Sequence, residues 1–178
     1  RRRAMIEARL GELDPAALRA AAAAAARETS AVALPYLPVA VLAAATGVAR
    51  RDVGEAVRCV RVVAAAYRPE TDAPGADGAL ARLLELLPGG EPEERAQRVA
   101  VLVQACEPSA ALVRGALGRP LDDVLRDDPP VPVTQRIGPD GRVIEVDLAG
   151  HPFGAGPRAC PGVEHALALV EGVVEGAR

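Results

Sequence analysis

The sequence contains no lysine: all 21 basic residues are arginine, and alanine, glycine and proline are abundant. A bias of that kind points to a GC-rich genome as much as to any physical demand. An excess of positive charge is also missing, since 24 acidic residues outnumber the arginines and leave a net charge of −3. With a pI near 5.5 there is no electrostatic footprint for nucleic acid. Cysteine is scarce. Cys59, Cys106 and Cys160 are an odd number without disulfide-framework spacing, so a reducing cytoplasm is the expected location. No signal peptide is visible and no apolar run reaches a convincing membrane span; Ala20 to Ala26 reads as a low-complexity helical stretch, not an anchor. The first residue is Arg1 and not Met, so the start is expected to be trimmed. Phosphate loop, nucleophile elbow, dinucleotide fingerprint and internal repeat are all absent. Cys160 with His165, and Cys106 with Glu107, lack the number and spacing of zinc ligands.

What remains is a chain of 178 residues, half of them hydrophobic, long enough for a single domain with a real core. Its pattern is mainly helical. Met5 to Leu10 is a short helical piece behind Arg1, Arg2 and Arg3, whose plain reading is a solvated charge run. Asp14-Pro15 supplies an N-cap and a first-turn proline for an Ala-rich helix to about Arg27. Thr29-Ser30 is expected to cap the next segment, which leads into a helix over Ala40 to Gly47 with Gly47 as its stop. Asp52 to Tyr67 places Val53, Ala56, Val60 and Val63 on one helical face. Arg68 to Gly78 reads as loop and Ala79 to Leu87 as a short helix ended by Pro88-Gly89-Gly90. Pro92, flanked by three glutamates, opens a long helix to about Leu117, interrupted in pattern by Pro108. That proline cannot donate to the carbonyl of Gln104, so a kink is expected there. Gly138-Pro139-Asp140-Gly141 followed by a strand over Arg142 to Leu148 indicates a β-hairpin.

The most informative stretch is His151 to Gly162. Gly154, Gly156 and Gly162 allow tight turns and close approach to a flat ligand. Pro161 suits the first position of a helix running through Val174, which puts Cys160 at a helix N-terminus where a thiolate is favoured. Such a thiolate can ligate a borderline metal, and Arg158 can meet a carboxylate in bidentate fashion. Taken alone, a single cysteine at a helix start is more simply an inert or redox-sensitive thiol.

Phe153, Gly156, Arg158, Cys160 and Gly162 fill every fixed position of F-x-x-G-x-[RH]-x-C-x-G, and Phe153 is the chain's sole phenylalanine. The loop resembles the haem-ligand loop of the cytochrome P450 family. "YLPVAVLAAATGVARRD" is similar to a mid-chain helix of that family, and "LVQACEPSAALV" to the centre of its long distal helix. "RDDPPVPVTQR" resembles the segment following the family's E-x-x-R helix, whose ion pair falls on Asp123 and Arg126. The resemblance implies a mainly α fold: a shortened cytochrome P450-like helical core with a small β-hairpin. It implies one haem-thiolate domain over residues 1–178, lacking the family's N-terminal sheet, meander and C-terminal sheet.

It further implies haem b with Cys160 as ligand to the iron, and Arg158 and Arg136 holding propionates. Phe153, Gly156, Gly162 and Ala105 complete the cofactor set, and one of Arg1, Arg2 and Arg3 is a further propionate candidate. Glu107 and Ser109 are the implied catalytic residues, because Pro108 replaces the threonine that assists proton delivery in the family. Ser109 lies about 100° further round the helix, so its hydroxyl is expected to point away from the iron unless a kink turns it. Asp123, one methylene shorter than glutamate, is expected to pair with Arg126 in an at least partly buried position. The implied activity is oxidation of a small organic molecule, as monooxygenase or with peroxide, with a ferredoxin or reductase as possible electron donor and neither nucleic acid nor membrane as partner. The alternative is a relic of the same descent, with or without haem, serving as sensor, haem carrier or protein partner.

Overall fold

The architecture follows from one long apolar helix and the shorter helices that cover it. In this computed structural model residues 2–67 and 73–178 are described. The eight α-helices among them are α1 (Arg2–Gly11), α2 (Pro15–Ala26), α3 (Leu37–Ala45), α4 (Val53–Ala66), α5 (Ala76–Leu86), α6 (Pro92–Ala116), α7 (Leu121–Asp127) and α8 (Val163–Gly176). Two strands, β1 (Val133–Ile137) and β2 (Val143–Asp147), form an antiparallel hairpin between α7 and α8. The mainly helical class with a small hairpin is therefore as expected.

Local sequence accounts for most element ends. Asp14 Oδ1 accepts from Ala16 N–H at 2.9 Å, and Pro15 occupies the first turn of α2. Helix α3 stops because Gly47 takes φ +100°. Its N–H donates to Ala44 O (3.0 Å) and that of Val48 to Ala43 O (3.0 Å), the paired bonds of a Schellman ending. At this end a side chain would also collide with the Pro88 ring. Several boundaries differ from expectation. Helix α3 starts at Leu37, ahead of Ala40, because Pro38 is tolerated in a first turn. Thr29 caps nothing downstream; its Oγ1 donates back to Ala25 O at 2.7 Å and finishes α2. Helix α5 begins at Ala76, three residues before the expected start, and residues 68–72 of the expected loop lie outside the described residues.

Helix α6 contacts α1, α3, α4, α5, α7 and α8, and Leu102, Cys106, Ala110, Leu112 and Val113 on it are buried. It continues through Pro108. By length and mean hydropathy it is the one described helix that could cross a membrane, and 56% of that window is buried within the fold. Helices α2 and α8 pack closest of all, because Gly172 and Gly176 present no side chain to α2. A Cβ on Gly172 would lie 3.0 Å from Ala22 Cβ and overlap the carbonyl of Arg19. Arg19 straps the same pair of helices from outside, reaching Glu171 at 2.7 Å and Glu175 at 3.3 Å.

On α7, Val124 is buried against Gly115 of α6. Asp123 and Arg126 do pair, at 2.5 Å, but on the outer face: the Arg126 side chain is 65% exposed and also bonds Asp127. The expected partly buried clamp is thus mostly a surface pair: α7 turns Val124, with Leu121 and Leu125 beside it, to the core and leaves Arg126 in solvent.

Candidate functional site

The cysteine loop closes on itself. Cys160 N–H donates to Phe153 O (2.8 Å), Gly154 N–H to His151 O (2.7 Å) and Ala159 N–H to Gly156 O (3.1 Å). Gly154 and Gly156 sit at φ +72° and +60°, left-handed positions that a side chain would strain. The loop holds Cys160 exposed, and a short 3₁₀ turn over Gly156–Arg158 carries the arginine. Helix α8 begins at Val163 with Gly162 as its N-cap, so Pro161 is not its first residue. Cys160 stands two residues ahead of the cap, beyond the first turn over which the helix dipole acts.

Facing this loop is a cavity of about 570 Å³, within the usual range for ligand pockets. One wall is α6, through Val101, Gln104, Ala105, Pro108, Ser109 and Leu112. The opposite wall is Phe153, Gly154, Arg158, Cys160 and Gly162 with the start of α8. Arg3 of α1 and Thr134 and Arg136 of β1 close further sides. Arg3 donates to Glu7 at 2.8 Å, and Arg136 donates to Thr134 Oγ1 at 2.9 Å and Gln135 O at 2.8 Å. Arginines at positions 3, 136 and 158 reach this space while no Asp or Glu among the described residues lines it.

Seven of the residues singled out from sequence, Ala105, Ser109, Arg136, Phe153, Arg158, Cys160 and Gly162, therefore share one cavity. Gly156 serves the loop's turn and does not line it. Glu107, expected beside Ser109, does not line this cavity. It lies on another face of α6, in a separate open groove with Arg58 and Arg61. There its Oε1 accepts from Tyr36 Oη (3.5 Å), its Oε2 lies 3.8 Å from Arg114, and Arg61 stacks 4.0 Å above the Tyr36 ring. Ser109 Oγ lines the cavity wall but is committed, donating to Ala105 O at 2.5 Å, which occupies the carbonyl next to the one Pro108 leaves free.

Two cavity residues could not be singled out from sequence. Arg3 was only one of three equivalent arginines; Arg1 and the Arg2 side chain lie outside what is described. His165 had no recognisable motif. Its Nε2 lies 2.9 Å from Leu10 O and 3.0 Å from Leu13 O, so that nitrogen carries the proton and clasps the start of α8 to the α1–α2 turn. Its Nδ1 is buried and has no partner among the described residues.

The donor set discriminates between metal groups. No cluster of three His, Cys, Asp or Glu exists among the described residues, so a bare zinc ion would lack protein ligands. A haem would ask the protein for a single further iron donor, and Cys160, exposed beside the cavity, could supply it. Arg136 and Arg158, which pair with no carboxylate among the described residues, would suit a porphyrin's acidic side arms, whereas Arg3 is already shared with Glu7. The residues fit haem. No family model matches the chain, and neither curated proteins nor solved structures give a match.

Proposed function

We propose that the helical core is a shortened cytochrome P450-like fold that binds one haem b through Cys160 and oxidises a small organic molecule. The observation that carries the proposal is the single cavity shared by Cys160, Arg136, Arg158, Arg3 and the middle of α6. A haem held by a thiolate supplies iron that exchanges electrons and activates dioxygen or peroxide. In this reading Cys160 would ligate the iron, and the loop bond from its N–H to Phe153 O holds the backbone that carries the sulfur. Arg158 and Arg136 take propionates, with Arg3 on a neighbouring side of the same space. Phe153 and Leu112 would offer apolar contact to a flat macrocycle, and the small side chain of Ala105 would leave room for it.

Proton supply is where the chain departs from a reductase-driven enzyme. Pro108 has no donor, Ser109 donates to Ala105 O, and Glu107 lies outside the cavity. Protons must then come from solvent, and peroxide, which brings its own, is the better oxidant. A ferredoxin or reductase partner and a cytoplasmic setting are part of the proposal, with the three free cysteines in keeping with the latter.

The same observations favour a second reading, a haem-binding carrier or sensor without turnover, because neither the Ser109 hydroxyl nor the Glu107 carboxyl is free to serve the cavity. Titration of the purified chain with haemin tests the first step: saturation at one haem per chain is expected, weakened by Arg158→Ala. Peroxide-dependent oxidation of small aromatic probes then separates the readings. Haem uptake with no oxidation at any peroxide concentration would leave the carrier or sensor, and no uptake would remove both.

A further inference from the structure

The hairpin strands carry four of the eight large apolar side chains that the described residues leave exposed: Val133, Ile137, Val143 and Ile144. Ile137 is 78% exposed and Val143 64%. The sheet has only these two strands, so each keeps a free edge among the described residues.

Which backbone groups point outward follows from the ladder. Val133 faces Asp147 and Ile137 faces Val143. Leu148 N–H donates to Pro132 O (2.9 Å) and Gly138 N–H to Arg142 O (2.8 Å), which fixes the alternation of bonded and non-bonded pairs. Thr134 and Arg136 therefore turn their N–H and C=O toward β2. Val133, Gln135 and Ile137 turn theirs away from it, and on the other edge so do Val143, Glu145 and Asp147.

We propose that β1 pairs antiparallel with β1 of a second copy of this chain, about a two-fold axis at Gln135, giving a four-stranded sheet. In that register Gln135 lies opposite its own counterpart and Val133 opposite Ile137 of the second copy. Every outward N–H and C=O of the three residues gains a partner. Gln135 O already accepts from Arg136 and keeps a second lone pair for this bond. Arg136 comes opposite Thr134 of the second copy, so no like charges meet. The corresponding β2 pairing sets Glu145 on Glu145 and Val143 on Asp147, a like-charge contact and an apolar–acid mismatch. Charge thus selects the β1 edge. Two strands of five residues bury less than the roughly 1,000 Å² of a lasting interface, so the dimer is reversible and weak.

Sedimentation equilibrium from about 10 μM to about 1 mM, spanning the affinities such an interface gives, tests this. A monomer–dimer equilibrium is expected. Gln135→Pro should abolish it, since it removes an outward N–H while sparing the bonds to β2. Glu145→Pro, its counterpart on the other edge, should not, and circular dichroism reports whether each variant folds. If Gln135→Pro does not fold, Ile137→Lys carries the test, placing a charge on the pairing edge with the same expected loss. A monomer throughout would overturn the proposal and leave the edge to another kind of strand or to none. So would a dimer surviving the β1 variants, or one lost in Glu145→Pro.

Discussion

Glu107 and Ser109 are two residues apart on α6 and face different spaces. At 100° per residue they stand about 200° apart, so a helix that lines a cavity with one turns the other away. Both were legible as polar residues beside Pro108; which one faced Cys160 was not, because α6 is apolar around most of its circumference and carries no amphipathic phase to orient it. The geometry predicts that Glu107→Gln leaves haem uptake and peroxide-supported oxidation unchanged, measured by titration and initial rates. A large loss would mean that Glu107 reaches the site after all. Cys106 gives a second prediction at this scale. It is fully buried, and burial pushes its thiol up to about 11, with Glu107 adding to the effect. The folded state therefore holds the proton more tightly than the unfolded chain, whose thiol ionises near 9.0. Stability contributed by this group is complete below about pH 9 and is lost as pH rises toward about 11. Urea melts of the wild type and of Cys106→Ala should lose stability at different rates over that window, the wild type faster; parallel curves would contradict the burial argument. Arg126, paired on the surface, should be replaceable by alanine with an unchanged melting temperature.

Among the elements, the helices were the most legible part of the chain. Asp14-Pro15, Gly47 and Pro92 act through local backbone chemistry, so their helices begin or end where sequence puts them, within a few residues. The packing between helices was not legible. Gly172 and Gly176 look like weak points in an apolar helix, yet they are what lets α8 lie directly on the backbone of α2. Gly172→Ala should force the two helices apart. Overpacking of that kind costs about 1–3 kcal/mol, a fall of roughly 2–12 °C in Tm for a chain of this length. A melting temperature within error of wild type would show that α2 can shift freely. His165 was equally invisible, because its partners are backbone carbonyls in the α1–α2 turn, far away in sequence.

At the scale of the whole molecule, the cavity assembles from pieces far apart in sequence, among them α1, α6, β1, the cysteine loop and the start of α8. The motif at Phe153 to Gly162 pointed to that loop, and Arg136 to β1, but Arg3 could be singled out only once α1 was seen to fold against α6. The resemblance to cytochrome P450 made the haem reading available from sequence. What it could not supply was the proton side of the chemistry, since that depends on the rotation of α6 and on the bond from Ser109 to Ala105 O. Central to the account is that Cys160 binds haem iron as a thiolate within this cavity. The most direct measurement is the absorption spectrum of the haem-loaded protein, reduced and treated with carbon monoxide, for wild type and for Cys160→Ala. The account predicts the long-wavelength band of thiolate ligation in the wild type and its loss in the variant. The same spectrum from both proteins would contradict it.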